Sequence, residues 1–446
     1  MKNTIWRVFG YFVVCVAITL AFASLGPAGA AESATVLVTD SATGVKHLPG
    51  FTVDVIATGL PEVGDLTIGE QGDLIASQQS ECRRYSGNLF RITGAGVVTT
   101  VAAVPRGQGL HPDTLSRDLF FSDECFRHIL RVTPSGNVLF ADVGGSTEGV
   151  DVRTDGTVYV SRRDAILRID RNRFGDAASV STLVYFKDIP GLQGKFDAIA
   201  FEKLADGTTG DLFAINEFPN GRILRINPDT GSTSLFSEYS GSGEALEIAP
   251  LTAAQATGPG HLFVSYQNAV TRISPDGRSV ETFAEIPGSS AGVTVDNDGL
   301  VYIANTSEGL IYRLTPPPDP ISISRNIRPG SCSDPLNSSS TGMFSVLIMG
   351  TPGFDVSLID PGSIRLEGAA PVAWDLADRG RPSVGCAASG PDGALDLTLM
   401  FRAQDIVSGI NPVQDLELRV LRLTGSLRPH AGKKPIKGED VIVLKR

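Results

Sequence analysis

The chain has 446 residues and a formal net charge of −11, with 49 acidic side chains against 38 basic ones. An acidic surface repels the phosphate backbones of nucleic acids, and no basic cluster offsets it, so nucleic acid is not expected as a partner. The length allows one large domain and one small domain.

The first 31 residues have the pattern of a secretory signal peptide. Lys2 and Arg7 precede an apolar run that extends from Val8 to about Leu25, and small residues at 26–31 provide a cleavage site. A retained membrane anchor is the alternative, because the run is nearly long enough to span a bilayer, but the adjacent Gly and Pro favour cleavage. We therefore expect a secreted or periplasmic protein with no membrane span after cleavage.

Four cysteines remain after this cleavage, and an even number in an oxidising compartment suggests disulfides. Three connectivities are possible, and the order along the chain favours one pair in each domain. The expected pairs are Cys82–Cys125 and Cys332–Cys386.

A strand pattern repeats six times along most of the chain. In each copy an apolar run follows a turn residue, and the next strand has an Arg directly before an aliphatic residue. The spacing of about 39 to 54 residues fits one four-stranded blade per repeat. We expect the repeated arginines to face outward and to tie blade to blade. The runs begin at Gly72, Arg117, Gly156, Gly210, Gly260 and Gly299, and the arginines are Arg91, Arg131, Arg168, Arg225, Arg272 and Arg313.

The two ends of the repeat region predict how the ring of blades closes. The sixth repeat ends at Leu314 without an outer strand, and a Pro-rich linker at 316–320 stops it there. An unpaired strand at 51–57 precedes the first repeat. Lending this strand to the last blade completes the ring and removes its exposed edges. Residues 48–315 are therefore predicted to form an all-β, six-bladed β-propeller.

Acidic residues open the inner strands of three consecutive blades. Glu148, Asp197 and Glu244 occupy the same starting position, and Asp65 lies one place later in the first blade. Carboxylates that converge on the axis repel each other unless a cation lies between them, and hard oxygen ligands suit Ca²⁺, Mg²⁺ or Mn²⁺ better than zinc. The pattern predicts a divalent metal site at the channel mouth. Alternatively, these acids cap turns or face channel water.

His111 lies in the corresponding region of the second blade, and it is a candidate general base. Alternatively, His111 has a structural role, as is common for a histidine that stands alone in an irregular strand. Cys82 and Cys125 occupy equivalent loops of the first two blades, so a disulfide between them would staple those loops over the same mouth.

The repeats resemble NHL-type propellers and the SMP-30/gluconolactonase and streptogramin-lyase superfamily. Segments 147–160 and 291–303 carry the resemblance. It implies that acids and asparagines opening the inner strands bind a divalent metal, often Ca²⁺, and Glu148, Asp197 and Glu244 match that pattern. The asparagine ligands of the gluconolactonase branch and its Glu-Gly-Pro-x-Trp motif are missing.

Residues 321–446 resemble a small β-sandwich module found at the C-terminal end of secreted bacterial proteins. Segments 327–331, 344–350, 354–361 and 393–401 carry this resemblance. The family often has an Asp-rich, Ca²⁺-binding type of loop, of which only Asp392 and Asp396 are left here. The resemblance implies that a Cys332–Cys386 bridge replaces the loop as a staple.

Two functions are compatible with these patterns. The first is a metal-dependent hydrolase (lactonase-like or esterase-like) or lyase of unknown substrate, in which the metal polarises a carbonyl group and His111 or a channel carboxylate moves the proton. The second is a non-catalytic extracellular propeller that binds a protein, a glycan or a small ligand at the same face.

Overall fold

The computed structural model describes residues 31–32, 36–69, 71–79, 82, 87–217, 221–323, 325–327, 335–351, 353–381, 388–389, 391–410 and 416–445. Residues 1–30 of the expected signal peptide, together with Cys332 and Cys386, lie outside these ranges. Within them, we find no helix with the length and apolar character needed to cross a membrane.

Six antiparallel sheets form the larger part of the molecule, and we number them as blades 1 to 6 in chain order. The first strand of every blade contacts the first strands of both neighbouring blades, and blade 6 contacts blade 1 in the same way. These six inner strands therefore surround a central axis, which confirms the six-bladed propeller. From the inner strand outward, the strands are Val63–Ile68, Leu74–Gln78, Gly87–Ile92 and Val98–Val104 in blade 1; Leu110–Pro112, Leu119–Asp123, His128–Thr133 and Gly136–Asp142 in blade 2; Thr147–Val152, Val158–Arg162, Ala165–Arg171 and Ala177–Tyr185 in blade 3; Lys195–Lys203, Thr209–Glu217, Gly221–Ile226 and Thr233–Tyr239 in blade 4; Ala245–Ile248, Leu262–Tyr266, Ala269–Ile273 and Ser279–Glu285 in blade 5; and Ser290–Val295, Val301–Asn305 and Leu310–Thr315 in blade 6.

The ring closes through a strand from before the first blade, as the sequence predicted. Thr52–Ala57 pairs antiparallel with Leu310–Thr315 and becomes the outer strand of blade 6. The short strands Val38–Thr39 and Lys46–His47 extend the outer edge of blade 5, and Ala31–Glu32 pairs in parallel with the same outer strand. The segment that leads into blade 1 is thus held to blades 5 and 6 by backbone hydrogen bonds.

The inner strands begin earlier in the sequence than their apolar runs. The inner strand of blade 3 begins at Thr147, and that of blade 4 begins at Lys195. Each contains a register shift, between Thr147 and Val150 in blade 3 and between Phe196 and Ile199 in blade 4. Such β-bulges redirect side chains and are common beside functional sites.

Apolar side chains between neighbouring blades form the cores. One cluster joins Phe120 of blade 2 to Val150 and Leu167 of blade 3, for example. Beside it, the guanidinium of Arg171 makes two hydrogen bonds, of 2.7 and 2.9 Å, to the buried carboxylate of Asp113. This ion pair fastens blade 3 to blade 2 and identifies Asp113 as a structural residue.

The repeated arginines pair mainly within their own blades, which corrects the expectation that they tie blade to blade. An arginine on the third strand lies beside a neighbouring strand of the same sheet, where an acidic side chain is in reach. Of these six arginines, only Arg131 and Arg168 reach an acidic residue of the next blade in the described part of the chain, in longer contacts with Asp176 at 3.8 Å and Asp229 at 3.7 Å. The pairs within a blade are Arg91–Asp73, Arg131–Asp118, Arg168–Asp170, Arg225–Asp211, Arg272–Glu281 and Arg313–Asp54.

The C-terminal part is a β-sandwich, as predicted. Two sheets enclose one apolar core that includes Phe344, Leu399, Leu423 and Ile442. Buried Asp396 accepts hydrogen bonds from the backbone N–H groups of two other segments of this domain and therefore has a structural role. The first sheet contains Arg325–Ile327, Met343–Ile348, Asp396–Arg402 and Ala373–Ala377; the second contains Ile321–Ser322, Pro335–Asn337, Pro435–Lys445, Leu418–Ser426 and Arg365–Leu366; Gly380–Arg381 pairs with Ala388–Ser389, and the helix Ala403–Ile410 follows the third strand of the first sheet.

Candidate active site at the channel mouth

The propeller axis contains a narrow cavity of about 40 Å³, lined by inner-strand residues of all six blades. This volume is enough for one or two water molecules. We call the end at which the inner strands begin the near mouth, and the opposite end the far mouth.

The near mouth holds two buried carboxyl groups around one ammonium group. Glu148 is 1% exposed and Asp197 is 3% exposed. The Nζ atom of Lys195 lies 3.3 Å from Oε1 of Glu148 and 3.5 Å from Oδ2 of Asp197. It also lies 2.5 Å from Oε2 of Glu217, on the second strand of blade 4. One lysine therefore bridges three carboxylates.

A row of ion pairs continues from Glu148 across the mouth. Nε of Arg163 lies 2.6 Å from Oε1 of Glu148, and its Nη2 lies 3.2 Å from Oε1 of Glu124. Arg106 pairs with the other oxygen of Glu124 at 2.7 Å. The adjacent Cys125 forms the expected disulfide with Cys82, so this row ends at a stapled loop.

Three buried carboxyl or amide oxygens on the axial cavity have no hydrogen-bond partner in the described part of the chain. They are Oε2 of Glu148, Oδ1 of Asp197 and the amide oxygen of Gln108, and all three residues line the axial cavity. Burial, together with the charge of Glu148, raises the pKa of Asp197 well above its usual range, although Lys195 opposes this shift. The cavity therefore offers hydrogen-bond acceptors to whatever enters it.

Buried polar residues at the ends of the second strands hold the site residues in place. Oγ of Ser122 accepts a hydrogen bond from the backbone of Gly109 and donates one to the carbonyl oxygen of Glu148 in the next blade. Ser161 does the same for Gly149 and for the carbonyl oxygen of Asp197. Each serine therefore locks a site residue to the preceding blade.

Close approach of the inner strands also explains two glycines beside the site. A Cβ atom on Gly109 would lie 2.5 Å from the backbone nitrogen of Val150, and one on Gly149 would lie 2.8 Å from that of Ile199. Both distances are far below van der Waals contact, so only glycine allows neighbouring inner strands to lie this close.

The other two predicted metal ligands are placed differently. Asp65 is engaged with backbone, because its oxygens accept from the N–H groups of Leu66 and of Leu110 in the next blade. Burial raises the pKa of Asp65 to about 8. Glu244 lines the cavity, and its pKa is raised by burial. Neither residue is close enough to Lys195 to form an ion pair with it in the described structure.

The predicted divalent metal does not fit this arrangement. Lys195 already lies between the two carboxylates from adjacent blades, and Asp65 is bound to backbone. Among the residues that the structure describes, no three His, Cys, Asp or Glu side chains are placed to share a metal ion. Metal binding here stays a prediction from the sequence, and no step proposed below depends on it.

His111 lies toward the far mouth and has the geometry of a structural histidine. Its Nε2 is 3.0 Å from Oδ1 of Asp151, and its Nδ1 is 2.7 Å from the carbonyl oxygen of Pro112. Both ring nitrogens are thus engaged by oxygens of the protein itself. Burial alone would raise the pKa of Asp151, but the charge and hydrogen bond of His111 lower it to about 2. A ring held in this way is not poised as a general base.

A larger cleft of about 570 Å³ opens at the far mouth, and all six blades contribute to it. His111 and Lys203 lie in it, and Leu204 and Leu251 are exposed on its walls. The ammonium group of Lys203 has no carboxylate within ion-pair distance in the described part of the chain. Glu247 and Asp296 also line this cleft, which is wider than the cavity on the axis.

Sequence reasoning missed Lys195, Arg163, Gln108 and the two serines. A signal for the serines exists, because the second strands of four blades end in the pattern of an apolar run followed by Ser. Ile215 holds that position in blade 4, and the next residue, Asn216, donates from Nδ2 to the carbonyl oxygen of Lys195. The lysine itself has no such signal, since one Lys near acidic residues is typical of solvated surface.

No protein-family model and no curated protein matches the chain. Among solved structures, a gluconolactonase from Xanthomonas campestris is 15% identical, with 65% of this chain and 97% of that chain covered and a TM-score of 0.47. Virginiamycin B lyase from Staphylococcus aureus is 17% identical, with 63% and 93% covered and a TM-score of 0.41. A nidogen/laminin complex is 14% identical, with 57% and 86% covered and a TM-score of 0.40. At these identities the likeness concerns the fold alone.

Proposed function

We propose that the protein is an exported hydrolase or lyase that acts on a small ester or lactone at the near mouth. The supporting observation is the pair formed by Glu148 and Asp197. These buried carboxyl groups come from adjacent blades, and each has one oxygen near Lys195 and another that lacks a partner at the axial cavity. Paired carboxyl groups in unequal surroundings commonly divide proton transfer and orientation between them.

In the hydrolytic form of this proposal, Glu148 accepts a proton from a water molecule as the water oxygen bonds to the substrate carbonyl carbon. Asp197 orients that water through its second oxygen. The bond from the carbonyl carbon to the leaving alkoxide then breaks, and the proton on Glu148 passes to the alkoxide oxygen. Arg163, which is half exposed at the mouth, balances the negative charge that develops on the carbonyl oxygen.

A panel of lactones and of alkyl and aryl esters tests this proposal, with hydrolysis followed by proton release and elimination followed by mass spectrometry. Glu148→Gln should lower kcat/KM by roughly 10²-fold or more, because it removes the proton acceptor. Asp211→Asn is the matched control, since Asp211 pairs with Arg225 on blade 4 and does not line the axial cavity. Equal turnover by the wild type and Glu148→Gln would rule out the proposed role.

The far-mouth cleft favours a second candidate function, which is non-catalytic binding of a small organic anion. The unpaired ammonium of Lys203 would attract the anionic group, and Leu204 and Leu251 would contact an apolar body. Calorimetric titration with small aromatic carboxylates checks this function. Binding that is lost in Lys203→Met and kept in Glu148→Gln would support it, and binding that is unaffected by Lys203→Met would exclude it.

A further inference from the structure

Lys195 occupies a position in the near mouth that matters for charge balance. It is the first residue of the inner strand of blade 4, two residues before Asp197. Its side chain is 26% exposed, whereas those of Glu148, Asp197 and Glu217 are 1%, 5% and 18% exposed. A partly exposed ammonium group therefore covers a set of largely buried carboxylates.

The carboxylates depend on this ammonium group. Glu148 has a second cationic partner in Arg163, but Asp197 has no ion pair in the described structure other than that with Lys195. Two buried carboxylates without a cation would each pay a desolvation cost and would repel each other. One carboxylate oxygen from each of the three acidic residues lies within 3.5 Å of Nζ of Lys195.

The backbone around Lys195 also fixes it in this position. Asn216 donates hydrogen bonds from Nδ2 to the carbonyl oxygens of Lys195 and Glu217, at 3.2 and 3.1 Å. These bonds connect the first residue of the inner strand with the last residue of the second strand, Glu217. The lysine and one of its three carboxylates are thus held by the same buried amide.

We infer that Lys195 is the resident cation of the near mouth and takes the place that a divalent metal would need between Glu148 and Asp197. Calcium requires six to eight oxygen ligands, and an ammonium group that bonds to the same oxygens competes with it directly. The site therefore keeps its carboxylates together without a metal. The inference rests on the location of the proposed active site and not on turnover, so its test measures metal binding and stability.

A direct consequence is that removing the ammonium group should leave its three carboxylates open to a divalent ion, around which their side chains would have to rotate, since they are not placed to share an ion in the described structure. Lys195→Met keeps the length of the side chain but leaves Glu148, Asp197 and Glu217 without their shared cation. We expect this variant to unfold roughly 5 °C below the wild type in EDTA. We also expect Ca²⁺ or Mn²⁺ to restore its Tm, with a Kd on the order of 10⁻⁴ to 10⁻³ M.

The experiment compares melting curves and calorimetric titrations of the mature wild type, Lys195→Met and Lys46→Met. Lys46 forms one exposed ion pair with Glu285 at 2.7 Å, so the same substitution there tests loss of a lysine from a single carboxylate. The inference predicts a divalent-ion response in Lys195→Met only. A bound ion in the wild type that is lost in Glu148→Gln would overturn it, and so would a folded Lys195→Met that binds no ion. If Lys195→Met does not fold, Lys195→Gln takes its place in the comparison. The titration of the wild type then tests the inference by the same criteria.

Discussion

Ser161 shows how much of the site depends on one small buried residue. Its hydroxyl group accepts from the backbone of Gly149 and donates to the carbonyl oxygen of Asp197, which joins blade 3 to blade 4. Ser265 occupies the same position in blade 5, but its Oγ has no hydrogen-bond partner in the described structure. The two serines thus form a natural comparison between a bonded and an unbonded hydroxyl group.

We predict that Ser161→Ala lowers the free energy of unfolding by about 1–3 kcal/mol, because it leaves a buried N–H and a buried carbonyl unpaired. Ser265→Ala should change it by less than about 0.5 kcal/mol, since no hydrogen bond is lost. Urea titrations of both variants check the difference. Equal losses of unfolding free energy in the two variants would show that the hydrogen bonds of Ser161 add no measurable stability.

Asp151 should make the free energy of unfolding depend on pH under acidic conditions. Its pKa is lowered in the folded protein to about 2, mainly by His111, from an ordinary value of 3.8. A carboxyl group with a depressed folded pKa stabilises the fold above its unfolded pKa, and this contribution is lost as the pH falls toward 2. We expect about 2 kcal/mol of stability to be lost in this way between pH 4 and pH 2.

Chemical unfolding of the wild type and Asp151→Asn at several pH values from 4.5 to 2.5 measures this contribution. The variant is less stable throughout, because His111 loses its partner, but its stability should fall less steeply in this range. Buried carboxyl groups with raised pKa values, such as Asp65, act in the opposite direction in both proteins and cancel in the comparison. Parallel curves for the two proteins would contradict the assignment.

At the residue scale, the repeat alignment identified Glu148 and Asp197 because both precede the same apolar pattern. It could not separate Asp65 from them. A shift of one residue changes which neighbours a strand side chain meets, and Asp65 binds backbone N–H groups of two blades. Lys195 escaped detection because its role depends on carboxylates from two blades and three strands, which no local pattern contains.

At the scale of single elements, the bulges of the inner strands matter most. The apolar alternation breaks at Glu148-Gly149 and at Asp197-Ala198, so it does not indicate that the strands extend to residues before these acids. The structure shows that pairing continues through the break with one residue displaced. This displacement removes Glu148 and Asp197 from the regular strand pairing. Their side chains therefore point toward the propeller axis and not toward a paired strand.

The closing strand Thr52–Ala57 should be essential for a soluble ring, because its loss exposes the edge of Leu310–Thr315. We predict that a chain without residues 52–57 aggregates and loses its cooperative melting transition. A synthetic peptide of the deleted sequence should restore both by pairing with the open edge. Size-exclusion chromatography and melting curves follow the outcome. A monomeric deletion variant with the wild-type Tm would mean that the ring is closed by other contacts.

At the scale of the whole molecule, closure could be predicted from the sequence because it needs only a count of strands. The six repeats lack one outer strand, and one unpaired strand precedes them. Only one arrangement pairs every strand, and it places the preceding strand in the last blade. The relation between the two mouths could not be predicted in the same way. His111 belongs to the same ring of inner strands as the near-mouth acids. It lies further along its strand than they do, beside Asp151 and toward the far mouth.

The two mouths give the propeller two chemically different ends. The near mouth has paired carboxylates, intrachain cations and a disulfide-stapled loop around a cavity sized for water. The far mouth has a wider cleft with the ammonium group of Lys203 and exposed leucines. A cavity that holds water beside carboxylates suits the hydrolysis proposed for the near mouth, and a wider cleft suits binding of a larger organic ligand.

The central claim is that an intrachain ammonium group, and not a metal ion, lies between the carboxylates of the near mouth. The most direct test is a crystal structure of the mature protein soaked in MnCl₂, with an anomalous difference map at the manganese edge. The account predicts no anomalous peak at Glu148 and Asp197, with Lys195 in contact with both. A manganese peak between these carboxylates, with Lys195 displaced from them, would contradict it.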